Sequence, residues 1–347
     1  MSGLTVYCCG PIPRLRRLLE TVDGIARLAD WRELETLPSV GRCLFAVGMD
    51  DLGPLPETTE LLRFIRSHPD RFKGGVVGVA VDGTGEVDTK SLARRLILQL
   101  DMAGCAFPEH PLAEGTGSLR NCAVLQKRLA LTSLEEAWAA ALQGLCERVL
   151  AFTPRRYEKP RVLMLHASDH ATSNTLALGE LTVSRLGEGF SVRTMSLRNG
   201  TIEDCRGCSY KVCTHFASQG ACFYGGSIAT EVVPAVLQSD ILLLLLPNYN
   251  DAVGANIMAF INRMTSLYVS GALSGKTLFS IVVSGYSGGD LVAEQVMGAL
   301  CLNKSFLLPP RFCLMETAND PGEILRLPGI RERAASFAAQ IRRCAAV

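Results

Sequence analysis

Apolar residues in this chain gather into short unbroken runs separated by longer amphipathic stretches. RVLMLHAS (161–168), ILLLLLPNY (241–249) and KTLFSIVVSG (276–285) lie in the second half, and LTVYCCG (4–10), CLFAVGM (43–49) and GGVVGVAVDG (74–83) in the first. Continuous runs of this length read as parallel strands buried on both faces, where no polar side is left for alternation to show. Between them the spacing changes to three and four. It predicts helices at PRLRRLLETV, TTELLRFIRSH, SLARRLILQLDMAG and SLEEAWAAALQGLCERVL in the first half. In the second half it predicts them at SNTLALGELTVSRL, GSIATEVVPAVLQ, NIMAFINRMTSLY, DLVAEQVMGAL and LPGIRERAASFAAQIRRC. Strands alternating with helices at this interval call for doubly wound α/β sheets.

The two halves follow one plan. Counting FSVRTMSLR and a short run near RFCLME, the second half has five strands, which suggests the flavodoxin-like order. In the first half Leu61, Phe64 and Ile65 stand at the helical spacing that Ile257, Phe260 and Ile261 repeat, and Gly83 ends a strand as Gly285 does. The expected architecture is two tandem flavodoxin-like doubly wound domains, each with a five-stranded parallel sheet. The polar, proline-marked FTPRRYEKPR places the first domain at 1–152, a linker at 153–160 and the second domain at 161–347. A duplication explains this repeat; the shared periodicity of any two such domains also explains it.

Composition narrows the partners. With 35 basic and 34 acidic side chains among 347 residues, the net charge is +1, too small for the basic field of a nucleic-acid or anionic-membrane partner. The most lipophilic run falls far short of the roughly 20 residues of a membrane helix. Thirteen cysteines, an odd number without a preceding signal peptide pattern, fit a reducing cytoplasm.

Ligands of open parallel sheets sit beyond the carboxyl ends of the strands. After the first strand of the second half comes SDHATSNT, where Ser168, His170, Ser173, Asn174 and Thr175 crowd short polar side chains before a helix. Such a loop suits a phosphate, held by backbone N–H groups and the positive end of the helix dipole. An ordinary N-cap would account for one or two of these residues. After the third strand, Pro247, Asn248, Tyr249 and Asn250 open a polar loop. After the fourth come Gly285, Tyr286, Ser287, Gly288 and Gly289, with glycines that admit a flat ligand and tyrosines that offer it a π-face. Together these loops describe a site for a phosphorylated planar ring, and FMN fits.

Residues 161–345 resemble the NADPH-dependent FMN reductase family. SDHATSNT follows the family's S-x-R-x-x-S-N-T loop at Ser168, Ser173, Asn174 and Thr175. Pro247, Tyr249, Phe260 and Arg263 follow its second motif, and Gly285, Gly288 and Gly289 the glycine motif after the fourth strand. His170 replaces arginine, Met258 lysine and Asn262 aspartate. The resemblance implies one FMN, NAD(P)H as reductant, electron transfer to a flavin, quinone-like or protein acceptor, and homo-oligomerisation. No catalytic acid or base is required, and none stands out. The first half lacks the hydroxyl loop: CCGPIPR and MDDLGPLPE stand in its place, so it reads as a degenerate copy without flavin.

CRGCSYKVCTHFASQGAC places Cys205, Cys208, Cys213 and Cys222 within eighteen residues. Four thiolates suit a [4Fe–4S] cluster or a zinc ion, or the segment holds no metal. Iron–sulfur flavoproteins, relatives of the family, carry a compact cysteine motif in this region, and the alternative function is accordingly an electron-transfer flavoprotein without a small-molecule substrate. By the resemblance the segment lies near the flavin edge of the sheet, its four thiols within reach of one another. The other nine cysteines read as small core residues, and His166 as a satisfied core histidine.

Overall fold

The computed structural model describes residues 3–168, 172–197, 202–218 and 222–347. They form two compact units, Met1–Thr153 and Pro154–Val347. No described helix is long and apolar enough to cross a membrane.

The first unit runs β1 (Leu4–Cys9), α1 (Pro13–Leu19), β2 (Ile25–Asp30), β3 (Arg42–Asp50), β4 (Gly53–Pro54), α2 (Pro56–Ser67), β5 (Val76–Gly83), α3 (Thr89–Ala103), β6 (Leu112–Gly115), α4 (Ala123–Leu129) and α5 (Leu134–Ala151). Its sheet is ordered β2-β1-β3-β5-β6, all parallel, with the two-residue β4 folded back antiparallel on β3. With that stub set aside, the order counted within the unit is 2-1-3-4-5. The reading from sequence names β1, β3 and β5 and passes over β2 and β6. β2 is a half-exposed edge strand, IARLAD, and β6 has four residues, too few for a pattern to register. One core cluster packs α1 and α5 on the sheet around Trp138. A Cβ at Gly115 would come 2.4 Å from the Trp138 ring, so glycine is needed for this approach.

The second unit runs β7 (Arg161–His166), α6 (Asn174–Val183), β8 (Ser191–Ser196), α7 (Tyr210–Ala217), α8 (Val233–Gln238), β9 (Ile241–Asn248), α9 (Ala255–Arg263), α10 (Thr265–Val269), β10 (Thr277–Ser284), α11 (Gly289–Met297), β11 (Cys313–Thr317) and α12 (Ile330–Ala345). Its order, β11-β10-β9-β7-β8, is again 2-1-3-4-5 counted within the unit, and all of its pairings are parallel. Both sheets therefore have the flavodoxin-like order. β9 is the central strand, and β10 beside it is buried at every residue.

Two elements differ from expectation. Residues 256–268 are not one helix: the chain turns at Met264 and restarts as α10. The cysteine segment is not all loop, because Ser209 caps a two-turn helix by accepting from the Val212 N–H. The stretch read as a linker, residues 153–160, is tied to the end of α12 at Arg156 and Tyr157. The Tyr157 N–H donates to the Ala345 carbonyl at 2.8 Å, and the Arg156 guanidinium to the Ala346 carbonyl at 2.8 Å.

Candidate functional site

The first and third strands of the second unit, β7 and β9, are neighbours whose connections leave on opposite faces, so a crevice opens at their carboxyl ends. There the loops after β7, β9, β10 and β11 enclose a cavity of about 830 Å³. That volume falls within the roughly 300–1,000 Å³ common for small-molecule sites.

The β7 loop enters α6 through a hydroxyl pair. Ser173 donates to the Ser168 Oγ at 2.9 Å and accepts from the Leu176 N–H at 3.3 Å as the N-cap. The Ser168 hydroxyl is left to donate into the cavity, beside the outward N–H groups of the helix's first turn. Thr175 lines the same wall. The Asn174 side chain is spent elsewhere. Its Nδ2 donates to the carbonyls of Ala318 (3.1 Å) and Asp320 (3.0 Å), and its Oδ1 accepts from the Ile324 N–H at 3.3 Å. Asn174 thus holds the loop after β11 with its amide while its residue still lines the cavity.

Asn248 ties the loops after β9 and β10 together. Its Nδ2 donates to Asp251 Oδ1 (3.1 Å), Ser284 Oγ (3.2 Å) and the Ser287 carbonyl (2.9 Å), and its Oδ1 accepts from the Asp251 N–H (2.8 Å). Gln295 completes the brace by donating to the Asp251 carbonyl and accepting from the Val253 N–H. The brace leaves Tyr249 and Tyr286 projecting, 76% and 83% exposed, at the rim. Pro247, Asn250, Gly285 and Ser287 complete these two walls.

Gly288 and Gly289 are not among the residues lining the cavity. Gly288, at φ +83°, caps α11, and a Cβ there would sit 1.9 Å from Asp251 Oδ1. Its lack of a side chain therefore leaves room for the brace. Gly289 begins α11 and faces a neighbouring hollow. His170 lies outside the described residues. A fourth wall, Ala318, Asn319 and Pro321, is absent from the reading by sequence, although the turn-forming NDPG just after a strand at the same sheet edge was a usable signal.

Among the described lining residues Asp251 is the sole charged one. His166, at the end of β7, is buried. Its Nδ1 accepts from the Ser168 N–H at 3.2 Å, and burial pushes its pKa below the usual 6.5. The ring is neutral, with its proton on Nε2.

The thiols of Cys205, Cys208, Cys213 and Cys222 line a second hollow, of about 220 Å³. It shares no lining residue with the larger cavity. Asn262 donates to Asp204 at 2.9 Å, and Arg263 reaches the carbonyls of Glu203 and Gly225, so the segment is bound to the far end of α9. Nine helical residues carry that end about 13 Å back from the β9 loop. The expectation of a cysteine segment at the flavin edge is corrected: α9 holds it away from that edge. Among the described residues no three His, Cys, Asp or Glu side chains are arranged to hold a metal ion. Burial, then the three neighbouring thiols, push the Cys213 pKa up. Of the other nine cysteines all are buried except the half-buried Cys344.

Fold and cavity define a flavodoxin-like unit with a cavity at the switch point of its sheet. Residues 160–320 match the family model of NADPH-dependent FMN reductases, and the resemblance to that family is to this unit. No curated protein matches the chain. Similar solved structures include RosB with bound 8-demethyl-8-formylriboflavin-5'-phosphate (15% identity, 53% of this chain and 80% of that one, TM-score 0.41). They also include an FMN-dependent NADH-azoreductase from Bacillus anthracis in complex with FMN (13%, 52% and 99%, TM-score 0.36). A third is the NADH:FMN oxidoreductase EMOB in its apo form (13%, 52% and 89%, TM-score 0.35).

Proposed function

We propose that the second unit binds one FMN in the larger cavity and acts as an NAD(P)H-dependent oxidoreductase that delivers electrons to a small flavin or quinone-like acceptor, or to a protein. The observation carrying this reading is the convergence of a hydroxyl-capped helix N-terminus and two exposed tyrosines on one cavity. The donor set fits the cofactor. Ser168 and the first-turn N–H groups of α6 would hold the phosphate, while Tyr249, Tyr286 and the backbone at Gly285 would flank the ring. When bound, FMN supplies the hydride and electron chemistry, and the protein supplies binding and orientation. The Asn248 brace fixes the two ring-side loops to each other, and Asn174 fixes the fourth wall. His166, being neutral, adds no charge beneath the phosphate loop. Ser168 and the first-turn N–H groups of α6 would therefore meet the phosphate with neutral donors.

The first unit, in this proposal, takes no flavin. At the carboxyl edge of its sheet Arg14 donates to Asp82 Oδ1 (2.7 and 3.0 Å) and to the carbonyls of Gly83 (2.7 Å), Thr116 (3.3 Å) and Gly117 (3.0 Å). A guanidinium thus occupies the equivalent edge.

Anaerobic titration tests both statements. One FMN per chain, bleached by NADH or NADPH and recoloured by a quinone or free flavin, is expected. Two flavins per chain would overturn the reading of the first unit. A bound flavin that dithionite reduces but neither nicotinamide does would favour an electron carrier without a small-molecule substrate.

A further inference from the structure

We propose that the site selects by charge: it takes NADH in preference to NADPH and neutral electron acceptors in preference to anionic ones, and Asp251 and Asp290 set that preference. The inference rests on the reading of the larger cavity as the FMN site, and names which reductant and which acceptors are admitted to it.

The larger cavity has a neighbour. A hollow of about 460 Å³ adjoins it, and the two share Tyr286 and Ser287 of the loop after β10. FMN is a mononucleotide. A dinucleotide reductant whose nicotinamide meets the ring has a second nucleotide to place, and the space next to the ring-side loop is this hollow.

Charge in this space is of one sign. Among the described lining residues of cavity and hollow the charged ones are Asp251, Asp290 and Glu316, all carboxylates. Glu316 is neutralised by Arg333, whose Nε donates to Oε1 and whose Nη2 donates to Oε2 at 3.0 Å. The same arginine donates from Nη1 to the Pro328 carbonyl at 2.8 Å, so this cation is engaged within its own chain. Asp290 makes no hydrogen bond or ion pair with a described residue. It lies in the first turn of α11, where it offsets the positive helix end that would otherwise attract a phosphate.

Asp251 is clamped. Its backbone is left-handed, at φ +52°, a conformation uncommon for a residue with a side chain. Asn248 holds its N–H and Oδ1, and Gln295 its carbonyl, which leaves Oδ2 without a partner among the described residues. Strained backbone held by its surroundings is concentrated at ligand sites. Here it keeps a carboxylate at the wall of the cavity.

The two nicotinamides differ only at the adenosine ribose. A 2′-phosphate is recognised by a cation, often an arginine fork, whereas a 2′-hydroxyl donates to a carboxylate. The described lining offers the carboxylate and no free cation. A cleft lined by one sign of charge also lowers the local concentration of ligands of that sign, so a sulfonated quinone is disfavoured against its neutral parent.

The test uses the full chain loaded with FMN. In anaerobic stopped-flow at low ionic strength, NADH should bleach the flavin with a second-order rate constant on the order of tenfold above that of NADPH, from repulsion of the 2′-phosphate at a partly solvated surface. High salt should shrink the ratio severalfold, since screening shortens the reach of these exposed carboxylates. Asp251→Asn with Asp290→Asn keeps an oxygen acceptor at each position and removes the charge, and should bring the two rates together. Dithionite-reduced protein should be reoxidised faster by 1,4-naphthoquinone than by its sulfonate, and the double variant should narrow that gap. NADPH at least as fast as NADH, or ratios unmoved by salt and by the double variant, would overturn the proposal. Bleaching by neither nicotinamide would overturn its reductant half together with the oxidoreductase reading, and the dithionite arm, which needs no nicotinamide, would still decide the acceptor half.

Discussion

Asn174→Ala separates two roles that this side chain could hold in the cavity. Three hydrogen bonds, at 3.0 to 3.3 Å, join it to the segment 318–324. Each contributes about 0.5–1.5 kcal/mol net, and partial exposure puts these nearer the lower figure, so roughly 2 kcal/mol is lost. Alanine at the first position of α6 regains a few tenths of a kcal/mol in helix propensity. A net loss of about 1.5 kcal/mol lowers the unfolding midpoint of a unit this size by about 3–6 °C. The loop would be loosened and not released, because the Glu323 carboxylate still accepts from the Asn319 and Asp320 N–H groups at 2.7 and 2.9 Å. Flavin affinity should therefore fall only a few-fold, through the slackened fourth wall. Scanning calorimetry of the flavin-free protein and fluorescence titration with FMN measure the two effects. Had the amide bound the phosphate directly, a charge-assisted bond of about 1.5–3 kcal/mol would vanish, weakening binding more than tenfold. An unchanged flavin-free midpoint with such a loss would refute the assignment.

Gly288→Ala should loosen FMN several-fold while far-ultraviolet circular dichroism stays native, since its Cβ displaces the Asp251 carboxylate and opens the Asn248 brace; native affinity would show that the brace does not shape the site. Because the folded pKa of His166 lies below its unfolded 6.5, the unfolded chain binds the extra proton. Stability of the second unit should then fall as pH drops through about 6.5 and go on falling until the folded pKa is passed, and His166→Gln should flatten that slope in urea titrations at pH 7 and 5. In the first unit Arg14→Met should cost about 3 kcal/mol, as it leaves the 4% exposed Asp82 carboxylate without its cation. Adding Asp82→Asn should recover part of that loss in chemical denaturation.

Long apolar runs made the central strands legible, as at Ile241–Asn248, because burial on both faces leaves an unmistakable mark. Edge strands leave none: Ser191–Ser196 was found as a run, but Ile25–Asp30 and Leu112–Gly115 were not. In the site, residue types at the strand ends pointed to the right loops, yet not to what each side chain does. Asn174 reads as one more phosphate donor until its partners, 144 to 150 positions away, are known. Gly288 reads as room for a ring until Asp251 is seen against it. The cysteine segment was misplaced for a similar reason, since its position depends on where the far end of α9 lies, a long-range consequence of Asn262 and Arg263.

The two sheet edges show how one strand order accepts or refuses a ligand. Both units have the switch point that opens a crevice at the carboxyl ends of the strands. In the second unit the residues facing it are mostly short and neutral, with Asp251 and two tyrosines beside them, so donors line an open space. In the first unit the helix after β1 sends in Arg14, whose donors reach the Asp82 carboxylate and the carbonyls of Gly83, Thr116 and Gly117 from within the chain. Trp138 closes over the guanidinium at 5.5 Å, and the Leu15 N–H takes the second Asp82 oxygen. The Asp82 carboxylate and these three carbonyls are thus answered internally, and in a desolvated site an answered carboxylate has little affinity left to offer. On the proposed reading, a unit without flavin therefore requires no change of fold, only one long cation where the other unit has serines.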